Sequence, residues 1–331
     1  MKRERFHYFS LFLVIALLAP VPLIWAYSAE GSFDRTLHVS GPVELEVSTG
    51  SGSIEVGKGN ATEVRVHGII KVNHGWWGGA SGDAEAKVRQ LESNPPILQQ
   101  GNFIRIGRIE DPELRRNVSI SYQLEVPQAT QLKAATGSGN VSVDGVHGPV
   151  KATSGSGNLR ISNIGDQLVA TTGSGDVTAS AIEEGVHLTT GSGSIRATDV
   201  AGQFFISTGS GDITLKGTRS GGGRVSTGSG TVQLSGINGS LRVGTGSGDI
   251  TAQGEPAGDW TLHTGSGNIA VQLPQGASFD VDAHTDSGRI ITKLPMTVQG
   301  SIARGTLRGT VGKGGPRLEL RAGSGDIQIG G

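Results

Sequence analysis

The sequence predicts an all-β fold: a single-stranded parallel β-helix, or β-solenoid, of about eighteen residues per coil, with an irregular insertion in its N-terminal part. Three observations predict it. The tripeptide Gly-Ser-Gly begins at Gly137, Gly155, Gly173, Gly191, Gly209, Gly228, Gly246 and Gly265, at intervals of 18, 18, 18, 18, 19, 18 and 19 residues. Between the tripeptides, apolar residues alternate with polar ones, as strands with one buried face require. Composition agrees: 55 of 331 residues are Gly, aromatics make up 5%, and the glycines lack the every-third-residue period of collagen.

The first element is residues 1–29. Lys2, Arg3 and Arg5 precede an apolar run, Phe9–Ala26, broken by Pro20 and Pro22. Small residues follow at Ala26-Tyr27-Ser28-Ala29, where a signal peptidase would cut after Ser28 or Ala29. An uncleaved, membrane-inserted anchor is the alternative, because the run is nearly long enough to span a bilayer. Either way the remainder is expected to be exported, to the periplasm, the cell surface or the medium.

Residues 30–136 read as early coils. Strands are expected over Leu37–Val56 and Val64–Val72, and the pattern then breaks over 68–117. That insertion carries Trp76-Trp77 in a Gly-rich stretch, a short helix near Asp83–Glu92 ended by Pro95-Pro96, and a strand at Phe103–Ile106. Val118–Val126, alternating through Ile120, Tyr122 and Leu124, leads into the regular array at 137–331.

Within that array each coil supplies two short strands. From Gly173 the inward residues are Val177, Ala179, Ile182, Val186 and Leu188; from Gly191 they are Ile195, Ala197, Val200, Phe204 and Ile206. One coil is too thin to bury its apolar face alone, so coils stack ~4.8 Å apart, placing Val177, Ile195 and Ile213 in one column. The opposite parity puts Arg160, Thr178, Arg196, Lys151, His187 and Arg242 outside. Phe205 is the one clear outward aromatic of this wall, since Phe204 and Trp260 take inward slots. The chain stops at Asp326-Ile-Gln-Ile-Gly-Gly331, which reads as an open final coil and a surface for end-to-end homo-oligomer stacking.

The run Val118-Ser-Ile-Ser-Tyr122-Gln-Leu-Glu-Val126-Pro127, followed by Leu132 and by Thr136-Gly137-Ser138-Gly139-Asn140-Val141, resembles the bacterial "putative adhesin" β-strand-repeat family, whose members are largely of unknown function. The resemblance covers roughly Phe33 to Gly331. It implies a right-handed β-helix, export and no known enzymatic activity, and it transfers no site residues. The insertion with its tryptophan pair departs from the pattern.

Several motifs carry candidate chemistry. Gly-Ser-Gly is followed by Asp at Asp176, Asp212, Asp249 and Asp326, and the first three, in the regular array, invite comparison with calcium-binding β-rolls. Those rolls repeat every nine or so residues and stack their carboxylates. Here the equivalent positions read Asn140, Asn158, Asp176, Ser194, Asp212, Thr231, Asp249 and Asn268, so no two neighbouring coils both carry Asp. Adjacent carboxylates would repel by about 1–3.5 kcal/mol at that spacing. The expected role is turn chemistry, each side chain bonding its own turn's backbone.

Thr136, Thr172, Thr190, Thr208, Thr227, Thr245 and Thr264 precede the tripeptides, and inward parity suits a hydroxyl ladder bonded from neighbour to neighbour. Trp76 and Trp77 are the candidate contact residues, either for a partner or to cap one end of the stack.

No metal or cofactor is called for. The eight His lack metal-ligand spacing, and the absence of Cys removes disulfides and thiol chemistry. Net charge of −1 offers no field for nucleic acid. The expectation is therefore a non-catalytic, adhesin-like binding or scaffold module whose partner is an envelope glycan or surface protein. A carbohydrate-active β-helix enzyme is the alternative, with Glu183-Glu184 the nearest carboxylate pair, and a calcium-dependent roll is the second.

Overall fold

The computed structural model describes residues 28–73, 81–218, 221–298 and 305–331. Its strands form two sheets, one of 14 strands and one of 15, that face each other across a narrow apolar core. Each regular coil contributes one strand to each sheet. Val177–Ile182 lies in the first sheet and Gly185–Thr190 in the second, and Gly191-Ser192-Gly193 then turns the chain back to Ile195–Val200. Neighbouring coils pair in parallel at the repeat spacing: Val177 opposite Ile195, Ile195 opposite Ile213. All three are buried, so the expected column exists.

The glycines explain the period. A Cβ on Gly155, Gly173 or Gly191 would collide with the carbonyl oxygen of the first glycine one coil below. A Cβ on Gly157, Gly175 or Gly193 would collide with the carbonyl of the third. Turns stacked this closely leave no room for a side chain at either position, while the central serine points outward. A second constraint recurs at the far corner of each coil. Gly145, Asn163, Ala181, Asp199, Gly217 and Gly236 occupy equivalent positions, and all have φ between 52° and 75°, the left-handed region.

The threonines form a ladder, though not between themselves. Thr190 Oγ1 donates to the carbonyl oxygen of Gly175 (2.8 Å) and accepts from the N–H of Gly193 (3.2 Å). Thr136, Thr172 and Ser154 do the same in their coils. Each hydroxyl thus ties its own turn to the turn below, because the backbone groups of the stacked glycines lie closer than the next hydroxyl. The neighbour-to-neighbour expectation is corrected accordingly.

Both ends depart from sequence order. At the N-terminal end, Glu63–Asn73 is a continuous strand, so the break expected at Gly68 comes later. It pairs antiparallel with Val118–Val126 on one side and Ser28–His38 on the other. Helix Ser81–Ser93 packs along this outermost strand, and Glu92 Oε1 accepts the N–H of Ser32 (3.0 Å), which satisfies an edge donor.

At the other end, Arg317–Ser324 lies between Trp260–Ser266 and Phe279–Ser287, and Ile327–Gly330 between Ile269–Gln272 and Ile290–Thr292. The last residues of the chain are therefore inside the stack. Antiparallel strands Thr306–Val311 and Thr297–Val298 close the second sheet beyond them. This overturns the expectation of an open final coil formed by Asp326–Gly331. The premise for stacking copies on that coil goes with it.

A candidate ligand groove on the second sheet

Ser194 N–H donates to Asp176 Oδ1 (2.8 Å), Thr231 N–H to Asp212 Oδ1 (2.8 Å) and Asn268 N–H to Asp249 Oδ1 (2.7 Å). Asn140, Asn158 and Asn268 accept from the next coil in the same way. The partner is the next coil's backbone, not the residue's own turn, because the stacked N–H lies ~4.8 Å up the column and within reach of a short side chain. The structure thus gives Asp176, Asp212 and Asp249 one shared role as acceptors in this ladder. Among the described residues no group of three or more His, Cys, Asp or Glu is arranged to hold a metal ion. Trp76 and Trp77 lie outside the described residues, as does the N-terminal segment up to Tyr27. No helix among the described residues is long and apolar enough to cross a membrane.

One hydroxyl–imidazole–carboxylate chain occurs on the last coils. His284 Nδ1 lies 3.1 Å from Thr306 Oγ1, and its Nε2 lies 2.9 Å from Asp286 Oδ1. Both His284 and Asp286 are exposed, so the chain is screened by water rather than held in a dry pocket.

A groove of about 510 Å³ lies on the outer face of the second sheet. Parallel register stacks Phe205 on Arg224, Arg224 on Arg242, Arg242 on Thr261 and Thr261 on Glu319. Beside that column run Gln203, Gly222, Ser240 and Asp259. The elements position these side chains by parity alone. Phe204, Val225 and Val243 are drawn into the core, so Phe205, Arg224 and Arg242 must face out. Phe205 is 47% exposed, and its ring lies 6.1 Å from that of His187, tilted by 37°.

The charges in this region are unevenly matched. At the far end Arg317 pairs with Asp282 (2.7 Å), Arg308 with the same carboxylate (3.3 Å) and Arg321 with Glu319 (2.8 Å). Burial alone would raise the Asp282 carboxyl, but hydrogen bonds from Arg317 and Arg308 outweigh it and hold the group below its usual range. Asp259 Oδ1 accepts the N–H of Arg317 (2.8 Å). Arg224 and Arg242, by contrast, form no ion pair among the described residues. Two like charges directly opposite on adjacent strands destabilise a sheet by a few tenths to about 1 kcal/mol. The first sheet avoids that arrangement with its aspartates. The second sheet keeps it.

Sequence reasoning found Phe205 and Arg242 as outward residues but missed Arg224 and the groove. The signal was present: Phe205, Arg224 and Arg242 are spaced by 19 and 18 residues, the repeat interval itself.

The family model described as Toastrack DUF4097 matches residues 43–186 and again residues 166–330. Among curated proteins, none matches the chain in sequence. Similar solved structures include a "putative adhesin" from Parabacteroides distasonis, at 10% identity and a TM-score of 0.38, covering 90% of this chain and 97% of that one. A "putative cell adhesion protein" from Clostridium sporogenes is 11% identical with a TM-score of 0.27, covering 91% and 99%. A "putative adhesin" from Bacteroides fragilis is 10% identical with a TM-score of 0.31, covering 90% and 97%.

Proposed function

The chain belongs to the Toastrack DUF4097 family, and from that membership and the groove on its second sheet we propose that it is an exported, non-catalytic, adhesin-like module that displays a binding surface on a rigid rod. Rigidity follows from the stack. Every coil is tied to the next by two sets of strand pairs, and many coils add a hydroxyl or carboxamide rung, so the outer wall is held in fixed register over about 60 Å at ~4.8 Å per strand. The observation that carries the reading is the adjacent Arg224 and Arg242, neither in an ion pair among the described residues, beside exposed Phe205, a pairing of charge and aromatic surface that suits recognition. Export is supported by the basic start and apolar run ahead of Ser28.

The test is cell fractionation combined with a pull-down of envelope material by residues 30–331. Recovery outside the cytoplasm, with capture of an envelope glycan or surface protein, is the expected result. A cytoplasmic protein, or one that releases new reducing ends from polysaccharide, would replace this reading with another.

A further inference from the structure

We propose that the groove binds an anionic sugar residue of a polysaccharide, with its acidic group on Arg224 and Arg242 and its ring face on Phe205. This rests on the reading of the chain as a binding module and names the ligand class.

Three observations lead there. First, the two guanidinium groups stand on adjacent strands and neither forms an ion pair among the described residues, although Asp259 and Glu319 line the same groove, while the arginines at its far end are paired. A planar guanidinium presents parallel N–H donors that match a carboxylate or sulfate, and an anion placed between two of them removes their repulsion.

Second, Phe205 sits one coil from Arg224, so an apolar ring face and an acid group ~5 Å apart would be met together. Its ring packs loosely on His187 and leaves nearly half its surface open. An aromatic face next to hydroxyls is the usual platform for a pyranose ring, and Ser240 and Thr261 supply hydroxyls on the same groove.

Third, Gly244 follows Arg242 by two residues and faces the same way, and a Cβ there would meet nothing within 4 Å. Glycine weakens a strand interior, and packing does not require it here. A side chain introduced there would stand two residues from Arg242 on the same outer face. A long polyanion such as nucleic acid fits less well, because binding of that kind draws on many phosphate contacts and the protein's net charge is −1.

The experiment uses residues 30–331 and isothermal titration against polygalacturonate and heparin, which carry carboxylate and sulfate respectively. Fully methyl-esterified polygalacturonate, polyglutamate and single-stranded DNA are the comparisons. At least one acidic polysaccharide is expected to bind, more weakly as salt rises, with at least tenfold preference over the esterified polymer. Arg224→Gln with Arg242→Gln should weaken it tenfold or more, and Phe205→Ala by a similar factor. Gly244→Thr should also weaken it while leaving the melting temperature unchanged or higher, which separates an obstructed groove from a damaged fold. Equal binding of the esterified polymer would overturn the proposal, as would binding of polyglutamate or DNA as tightly as the glycans. Envelope capture that persists in the double arginine variant would sink the ligand assignment and leave the binding-module reading standing. Loss of all envelope capture in the unaltered protein would sink both.

Discussion

The ring of Phe204 occupies the space that a side chain on Gly223 would need. The two residues are direct register partners on adjacent strands of the second sheet, and a Cβ on Gly223 would collide with both the ring and the carbonyl oxygen of Phe204. A large core residue in one coil is thus matched by none in the next. Gly223→Ala is expected to destabilise by about 1–3 kcal/mol through overpacking, read as a lower melting temperature. Gly244→Ala on the outer face of the adjacent strand meets no neighbour and should melt no lower than the unaltered chain.

Thr190 bridges two turns, so its hydroxyl matters more than its volume. Thr190→Val leaves the Gly175 carbonyl and Gly193 N–H without that partner and should cost about 1–3 kcal/mol. Thr190→Ser should retain most of the stability, as Ser154 does at the equivalent position of its own coil. Denaturant midpoints of the two variants check this, and equal losses would show that the methyl group rather than the bridge was responsible.

Asp176 serves as an acceptor, for which an amide is as good. Asp176→Asn should therefore keep the rung to Ser194, whereas Asp176→Ala should lose it at about 1 kcal/mol. The melting temperature is expected to be unmoved by chelator. A rise with millimolar calcium that disappears in Asp176→Asn would restore the calcium-dependent roll.

Ala181 and Asp199 hold a left-handed backbone at φ 53° and 52°, where other coils use Gly145, Gly217 and Gly236. A residue with a Cβ is disfavoured there by roughly 1–2 kcal/mol, partly offset by the extra unfolded-state freedom of glycine. Ala181→Gly is expected to stabilise by about 0.5–1 kcal/mol, measured by chemical denaturation. A loss of stability would mean that the corner relaxes differently from its neighbours.

Acid should loosen the C-terminal coils. The backbone and side-chain hydrogen bonds from Arg289 lower the Asp326 carboxyl from 3.8, and Arg317 with Arg308 lowers that of Asp282 against the effect of burial. For groups depressed on folding, the contribution is present above the unfolded value and is lost as pH falls through the folded one. The window therefore opens below about pH 4. Melting temperatures recorded downward from pH 5 should fall less steeply for the double variant Asp282→Asn with Asp326→Asn than for the unaltered chain. Parallel slopes would remove these two carboxylates from the acid response.

The solenoid was readable because a stacked fold repeats the same steric demand in every coil. Glycines at Gly155 and Gly157 recur at Gly173 and Gly175 since each must pass the carbonyl below, and Val177 recurs as Ile195 since each fills the same slot. Counting residues is enough to recover such contacts. The ladders were legible as to residue type but not as to partner. Whether Asp176 reaches its own turn or the next coil depends on a difference of an ångström or two, which no spacing encodes.

What the sequence determined by itself was the period, the two-stranded coil and the parity of inside and outside, because all three are local consequences of a chain that alternates and turns at fixed intervals. Tertiary structure alone decided the ends and the groove. That Arg317–Ser324 slips between Trp260–Ser266 and Phe279–Ser287 depends on a pairing choice between distant strands, where similar apolar patterns compete for one edge. Arg224 and Arg242 became a candidate site only when the stack showed that the cations nearest them already had partners, a property of charges brought together from coils far apart in the chain.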